Sequence, residues 1–222
     1  ARRHNLPAMN PSPLIAFLRA AFAAHADAKS AGPMQAYMKS ALPFHGIPAP
    51  LRRKLTTEAV KAHPCLATAE LAETMLALFR EARFREERYA AVELPRLSAA
   101  HRQLVDASLL PVAEALIRES AWWDLVDDLS GELLQQLLLR HPREVKPALR
   151  RWAQGGDFWL RRAAMLCQRG LKAEAFDAVL LYDCMLPSIR TGSFAPEFFI
   201  RKGIGWALRE RSYSAPAEVQ AF

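Results

Sequence analysis

Apolar residues recur along this chain at intervals of three and four, and runs alternating at every second position are hard to find. Leu14, Phe17, Leu18 and Phe22 make one stripe, Leu71, Met75, Leu78 and Phe79 a second, and Leu133, Leu134, Leu137 and Leu138 a third. Such spacing gathers each set on one face of a helix and predicts an all-α fold. Prolines at 11, 13, 43, 48, 50, 64, 95, 111, 142 and 147 punctuate the stripes. Several fall where a first helical turn tolerates a missing N–H, or just after a helix has ended. The pattern predicts about ten to twelve helices with short connections.

An internal echo separates a plain bundle from a repeat array. An aromatic residue followed by charged and then small or apolar residues begins at Phe84, Trp122, Trp159 and Phe199, at intervals of 38, 37 and 40 residues. A period of roughly 40 residues with two helices per unit is that of a HEAT-like or armadillo-like helical repeat solenoid. Corresponding helices in such a stack present one side along a continuous concave surface. The basic residues of the echo, Arg85 and Arg88, Arg161 and Arg162, Arg201 and Lys202, with Arg209 two turns beyond Arg201, are then expected to line a basic groove. Ordinary solvated helix faces are the alternative for the same arginines.

Composition sharpens this only partly. A chain of 222 residues with 51% hydrophobic and 24% charged residues can form a packed core, here read as one domain over 1–222 with residues 1–10 as a flexible tail. Lys plus Arg outnumber Asp plus Glu by 30 to 23, and the pI is near 9.7, which favours an anionic partner. Cys65, Cys167 and Cys184 form no CxxC pair, so reduced, buried thiols are expected rather than a disulfide framework or a thiolate metal site. The six histidines have no metal-ligand spacing and most are read as helix-end or surface residues. Neither a membrane span nor a signal peptide is recognisable, and the expected location is cytoplasmic, associated with the nucleoid when bound to DNA. No nucleotide-cradling, metalloprotease or nucleophile-elbow motif is present, and no cofactor is expected.

The unusual segment is Trp122-Trp-Asp-Leu-Val-Asp-Asp128, with three carboxylates in five residues. On a helix Trp123 and Asp127 stand at i and i+4 and share a face. Asp128 is read as the cap of a helix from about Gly131 to Leu139, with Ser130 as the rival cap. Asp124 is read as a partner for basic residues of a neighbouring repeat. Asp127 lies beside an aromatic face, which by itself fits core packing with a structural salt bridge as well as it fits chemistry.

Four segments carry a resemblance to a known family: YMKSALPFHGIPAPLRR from Tyr37, WWDLVD from Trp122, FWLRRAA from Phe158 and EFFIRKGIGWALRE from Glu197, with REERYAA from Arg85 as a weaker fifth. Together they resemble the alkylpurine DNA glycosylases built of HEAT-like repeats, a DNA alkylation repair family. The resemblance implies that Asp127 is the carboxylate acting at the sugar of the damaged nucleotide. It also implies that Trp123 and Trp206 flank that nucleotide and that Arg162 contacts the backbone beside it. Tyr37, Arg161, Arg201, Lys202 and Arg209 are the further DNA-binding residues expected. Pro48 stands where some relatives carry a polar side chain, and the segment from Pro187 to Pro196 is longer than usual.

The implied substrate is double-stranded DNA containing alkylated purines, met by a monomer without metal or membrane. Its base is already a cation and a good leaving group, so no general acid is required. A carboxylate can stabilise the oxocarbenium-like sugar and orient water, while indole faces favour the cationic nucleotide by about 0.5–2 kcal/mol each. The family resembled reads the damaged backbone and leaves the base little enclosed. Two other classes stay open on sequence grounds: a non-catalytic HEAT-like binder of DNA structure, and a protein-binding helical scaffold.

Overall fold

The computed structural model describes residues 12–189 and 194–222, and all the regular structure among them is helical. The expected tail over 1–10 lies outside the described residues. The α-helices are α1 (Pro13–Ala24), α2 (Ala28–Met38), α3 (Ala49–Ala62), α4 (Thr68–Arg80), α5 (Arg85–Glu93), α6 (Ala99–Gln103), α7 (Leu110–Ser120), α8 (Trp123–Leu129), α9 (Gln135–Arg140), α10 (Pro142–Gln154), α11 (Phe158–Leu166), α12 (Ala178–Ile189), α13 (Phe198–Ser212) and α14 (Pro216–Ala221). A π-helical turn over Ser130–Leu134 joins α8 to α9, so residues 123–140 run as one interrupted helix. Prolines 13, 50, 111 and 142 occupy the first helical turns of α1, α3, α7 and α10, where no partner N–H is lost.

The four echoes open α5, α8, α11 and α13, and these helices pack in series, α5 on α8, α8 on α11 and α11 on α13. A second row backs them: α1 against α3, α4 against α5, α7 against α8, and α10 and α12 against α11. The last three recurring aromatics, Trp122, Trp159 and Phe199, meet one another across the front row, while Phe84 stacks on His45. Trp122 lies 6.5 Å from Trp159 and meets Phe199 edge-on at 5.5 Å, while Trp159 and Phe199 are 5.1 Å apart. Ion pairs repeat the period. Arg80–Glu119, Arg85–Asp124 and Arg118–Asp157 each span 39 residues, linking one unit to the next.

Burial follows the stripes closely. Leu71, Met75, Leu78, Phe79, Leu133, Leu134, Leu137 and Leu138 are all in the core, but Phe17 in the first stripe is 40% exposed. Each fully buried leucine contributes about 1.5–3 kcal/mol, so the two complete stripes alone outweigh any single surface charge. All three cysteines are free and buried. No helix among the described residues is long and apolar enough to cross a membrane.

Two histidines depart from the expected helix-end or surface placement. His45 stacks on Phe84 with ring centroids 3.6 Å apart, and His101 is fully buried. His101 Nε2 accepts the Cys65 backbone N–H at 3.0 Å, so the ring proton sits on Nδ1, which donates to the Leu94 carbonyl at 3.0 Å. Burial pushes both histidines below their ordinary value, and for His101 this outweighs the opposing pull of the Leu94 carbonyl and Glu70. The unfolded chain therefore takes up protons near pH 6.5 while the folded chain does not, so stability is lost as pH falls from there toward the folded values. Melting temperature measured from pH 7.5 down to 5.0 should decline in the wild type, and His101→Gln, which keeps an acceptor for Cys65, should decline less. Equal declines would remove His101 from this account.

Candidate active site

Each of the three aspartates of α8 is answered by an arginine from a different helix or turn. Asp124 receives Arg85 of α5 at 2.8 Å and the Tyr89 hydroxyl at 2.5 Å. Burial and then the Asp124 charge hold the Tyr89 phenol well above its ordinary value, which keeps it a donor. Asp128 receives Arg96 at 2.7 Å, and Arg96 also reaches Glu93 and Glu132. The expected cap role of Asp128 is therefore corrected. The helix does not stop there, because the π-helical turn carries it onward, and Ser130 donates to the Val126 carbonyl within the helix instead of capping a new one. Burial raises the Asp128 carboxyl despite Arg96. Glu93 is fully buried, yet Arg52, Arg53 and Arg96 together overcome its desolvation and hold it below its ordinary value.

Asp127 is the aspartate bound from the far side of the row. Arg162 of α11 grips it with both prongs, Nε to Oδ1 and Nη2 to Oδ2, each at 2.8 Å. The third nitrogen, Nη1, donates to the Phe199 carbonyl in the first turn of α13. Asp127 and Arg162 are only 8% and 4% exposed, so the pair is nearly desolvated, and removing one partner should cost about 3–5 kcal/mol. Gly203 makes room for this grip: a Cβ there would stand 3.2 Å from Arg162 Nη1. Three of the five guanidinium N–H groups are thus engaged, and the rest remain on a residue that lines an open depression.

That depression, about 380 Å³, is lined by Arg162, Arg201, Lys202, Gly205, Trp206 and Arg209. Arg201, Lys202 and Arg209 are exposed, Trp206 is half-buried, and no acidic side chain among the described residues lines the space. Trp206 is held from one side by Arg169, whose guanidinium carbon lies 4.0 Å from the ring centroid. Arg169 in turn packs on the π-helical turn at Gly131, where a Cβ would come within 3.0 Å of its Nη2. Nothing in the local sequence marks Arg169, which follows α11 in a turn, so sequence reasoning missed it.

The other expected residues fall in different places. Trp123 is half-buried at the start of α8, one turn before Asp127, and is not part of the wall of the depression. Tyr37 is 76% exposed on α2. Arg161, expected on the DNA-binding face, is instead buried and structural. Its Nε and Nη2 donate to the Gly155 and Gln154 carbonyls that end α10, Nη1 reaches Ser188, and its guanidinium covers Phe194. Orphan carbonyls at a helix C-terminus attract a cation, which is why the arginine turns inward. Arg85 likewise belongs to the interior rather than to an open basic face. Pro48 is the N-cap of α3 and supplies no side-chain hydrogen bond. The segment after Pro187 is not all loop, since α12 continues through Pro187 to Ile189; residues 190–193 lie outside the described residues.

A family model described as "DNA alkylation repair enzyme" matches residues 18–222. A solved structure described as "Predicted DNA alkylation repair enzyme from Enterococcus faecalis" is 30% identical and superposes with a TM-score of 0.74, covering 88% of this chain and 87% of that one. No curated protein matches. A match over nearly the whole length, together with a fold shared at that identity, places the chain in the DNA alkylation repair enzyme family.

Proposed function

We propose that this protein is a monofunctional DNA glycosylase that hydrolyses the N-glycosidic bond of positively charged alkylated purines, such as 3-methyladenine and 7-methylguanine, in duplex DNA. Family membership supports a role in alkylation repair with DNA as substrate. The observation that carries the finer reading is Asp127, a buried carboxylate aimed by a bidentate arginine that itself lines a basic depression with an indole wall. On this reading the front row of helices is the inner face of a HEAT-like solenoid. Arg201, Lys202 and Arg209 then run along a basic groove, and a monomer acts without cofactor.

The chemistry suits these groups. The C1′–N bond breaks with its electron pair leaving on the cationic base, which departs neutral. Water bonds to C1′, and its proton passes to Asp127 or to solvent, leaving free base and an abasic sugar. Asp127 stabilises the developing sugar cation, and Arg162 acts as the positioning residue that fixes the carboxylate plane. Trp206 offers a negative ring face to the cationic nucleotide, with Arg169 holding it in place. The depression is open to solvent, in keeping with an enzyme that reads the backbone and tolerates bulky adducts.

Release of 7-methylguanine from methylated duplex tests the proposal. Asp127→Asn should lower excision by about 100-fold or more, with residual release because the cationic base departs unaided. The variant leaves Arg162 unpaired, so its melting temperature must be followed and rates compared below its transition. Asp124→Asn and Asp128→Asn should affect stability more than rate. Wild-type excision by a folded Asp127→Asn protein would sink the assignment and favour a DNA-binding role without turnover.

The two tryptophans make a separate case. Trp206→Ala and Trp123→Ala should reduce excision more than affinity for undamaged duplex, since their benefit grows with positive charge in the transition state. Normal excision with a lowered melting temperature would return either residue to a packing role.

The exposed cations give a third expectation. Lys202→Ala combined with Arg209→Ala should weaken binding to all duplex sequences alike and make log Kd against log salt shallower by about two units. Unchanged binding would mean that the duplex lies elsewhere.

A further inference from the structure

A second cavity, of about 290 Å³, lies between the end of α2, the first turns of α5 and the turn from α7 to α8. Its wall includes Lys39, Arg85, Arg88, Ser120, Ala121 and Trp122, and no acidic side chain. Five buried side-chain nitrogen or oxygen atoms lack a hydrogen-bond partner among the described residues. Three of them, Arg85 Nε, Arg88 Nε and Trp122 Nε1, are donors on residues that line this cavity. Arg85 is 5% exposed and spends Nη2 on Asp124, leaving Nε without a partner. A buried N–H without an acceptor is unfavourable, so three on neighbouring residues are a standing demand for an acceptor.

The charges point the same way. Arg88 forms no ion pair among the described residues, and its guanidinium lies 4.6 Å over the Phe79 ring. Burial and then repulsion from Arg85 lower its proton affinity, against a weaker opposing pull from Glu119.

We propose that this cavity is an oxyanion site for a phosphate group, distinct from the Asp127 centre, with Arg85, Arg88 and Trp122 as the donors. Guanidinium forks match phosphate oxygens, and a neutral indole N–H adds a donor without more cationic repulsion. The phosphate can come from the duplex backbone or from a free phosphate or phosphomonoester. This site does not depend on the glycosylase reading, because neither measurement below involves excision.

Arg88→Met keeps the aliphatic stem over Phe79 and removes the fork. Two measurements on the whole chain decide the matter. The first is the melting temperature in inorganic phosphate relative to chloride of equal ionic strength. The second is the salt dependence of binding to undamaged duplex. Loss of about 0.9 from the log–log slope in Arg88→Met assigns the site to a backbone phosphate. A phosphate-specific rise in wild-type melting temperature that Arg88→Met abolishes, with duplex binding unchanged, assigns it to free phosphate. Because each melting shift is read within one variant, a lower starting stability of Arg88→Met does not blur the comparison. If Arg88→Met matches wild type in both measurements, the proposal is overturned.

Discussion

The arrangement of the central helices depends on one electrostatic constraint: α8 carries three carboxylates within five residues, and each must find a counter-charge outside its own helix. Asp124 finds Arg85 on α5, Asp128 finds Arg96 in the turn after α5, and Asp127 finds Arg162 on α11. Two partners lie on one side of α8 and the third on the other, so satisfying them fixes the helix in rotation as well as position. A slip by one residue would aim each carboxylate about 100° away from its arginine. Desolvated ion pairs add little net stability over an apolar core, but a broken one is costly, and that asymmetry makes them strict about geometry.

From this follows the form of the candidate site. Once α8 is pinned, Asp127 faces α11, and Arg162 can serve it only by passing close to the backbone of α13 at Gly203. A similar close approach recurs where Arg169 crosses Gly131 in the π-helical turn to reach the Trp206 ring. Two glycines thus admit two arginines, one setting the carboxylate and the other the indole. Neither arginine is mainly a surface charge. The field of the depression comes instead from Arg201, Lys202 and Arg209, which have one face in water. Interior cations that position and exterior cations that attract are separate populations, although they share the same short sequence segments.

The helical class, the repeat period and the membership of the core were legible in the chain itself. Stripes at three and four survive folding because water expels the same side chains whatever lies opposite them, and two of the three stripes are buried throughout. The 37-to-40-residue echo was legible because each recurrence supplies an aromatic at the head of a helix, and the last three of these meet one another. Asp127, Trp206 and Arg162 were singled out by the resemblance to a family rather than by the residue pattern, and folding brings Arg162 onto Asp127 and beside Trp206.

What the sequence left open was which charges face water. Arg161 and Arg162 are adjacent, as are Arg201 and Lys202, yet the first two are buried and the second two are exposed. A run of basic residues reads the same in either case. The difference arises because α10 ends with bare carbonyls beside Arg161 and α8 brings a carboxylate to Arg162, while among the described residues the depression around Lys202 has no acidic lining. The continuation of α8 past Asp128 was hidden for a related reason, since a serine and a glycine after an aspartate normally end or cap a helix. Hydrophobic periodicity is a property of a segment with itself and is therefore written in the sequence. The partner of a charge is a property of two segments that meet only after folding, and here that meeting set apart the arginines that build the site from the cations that face solvent.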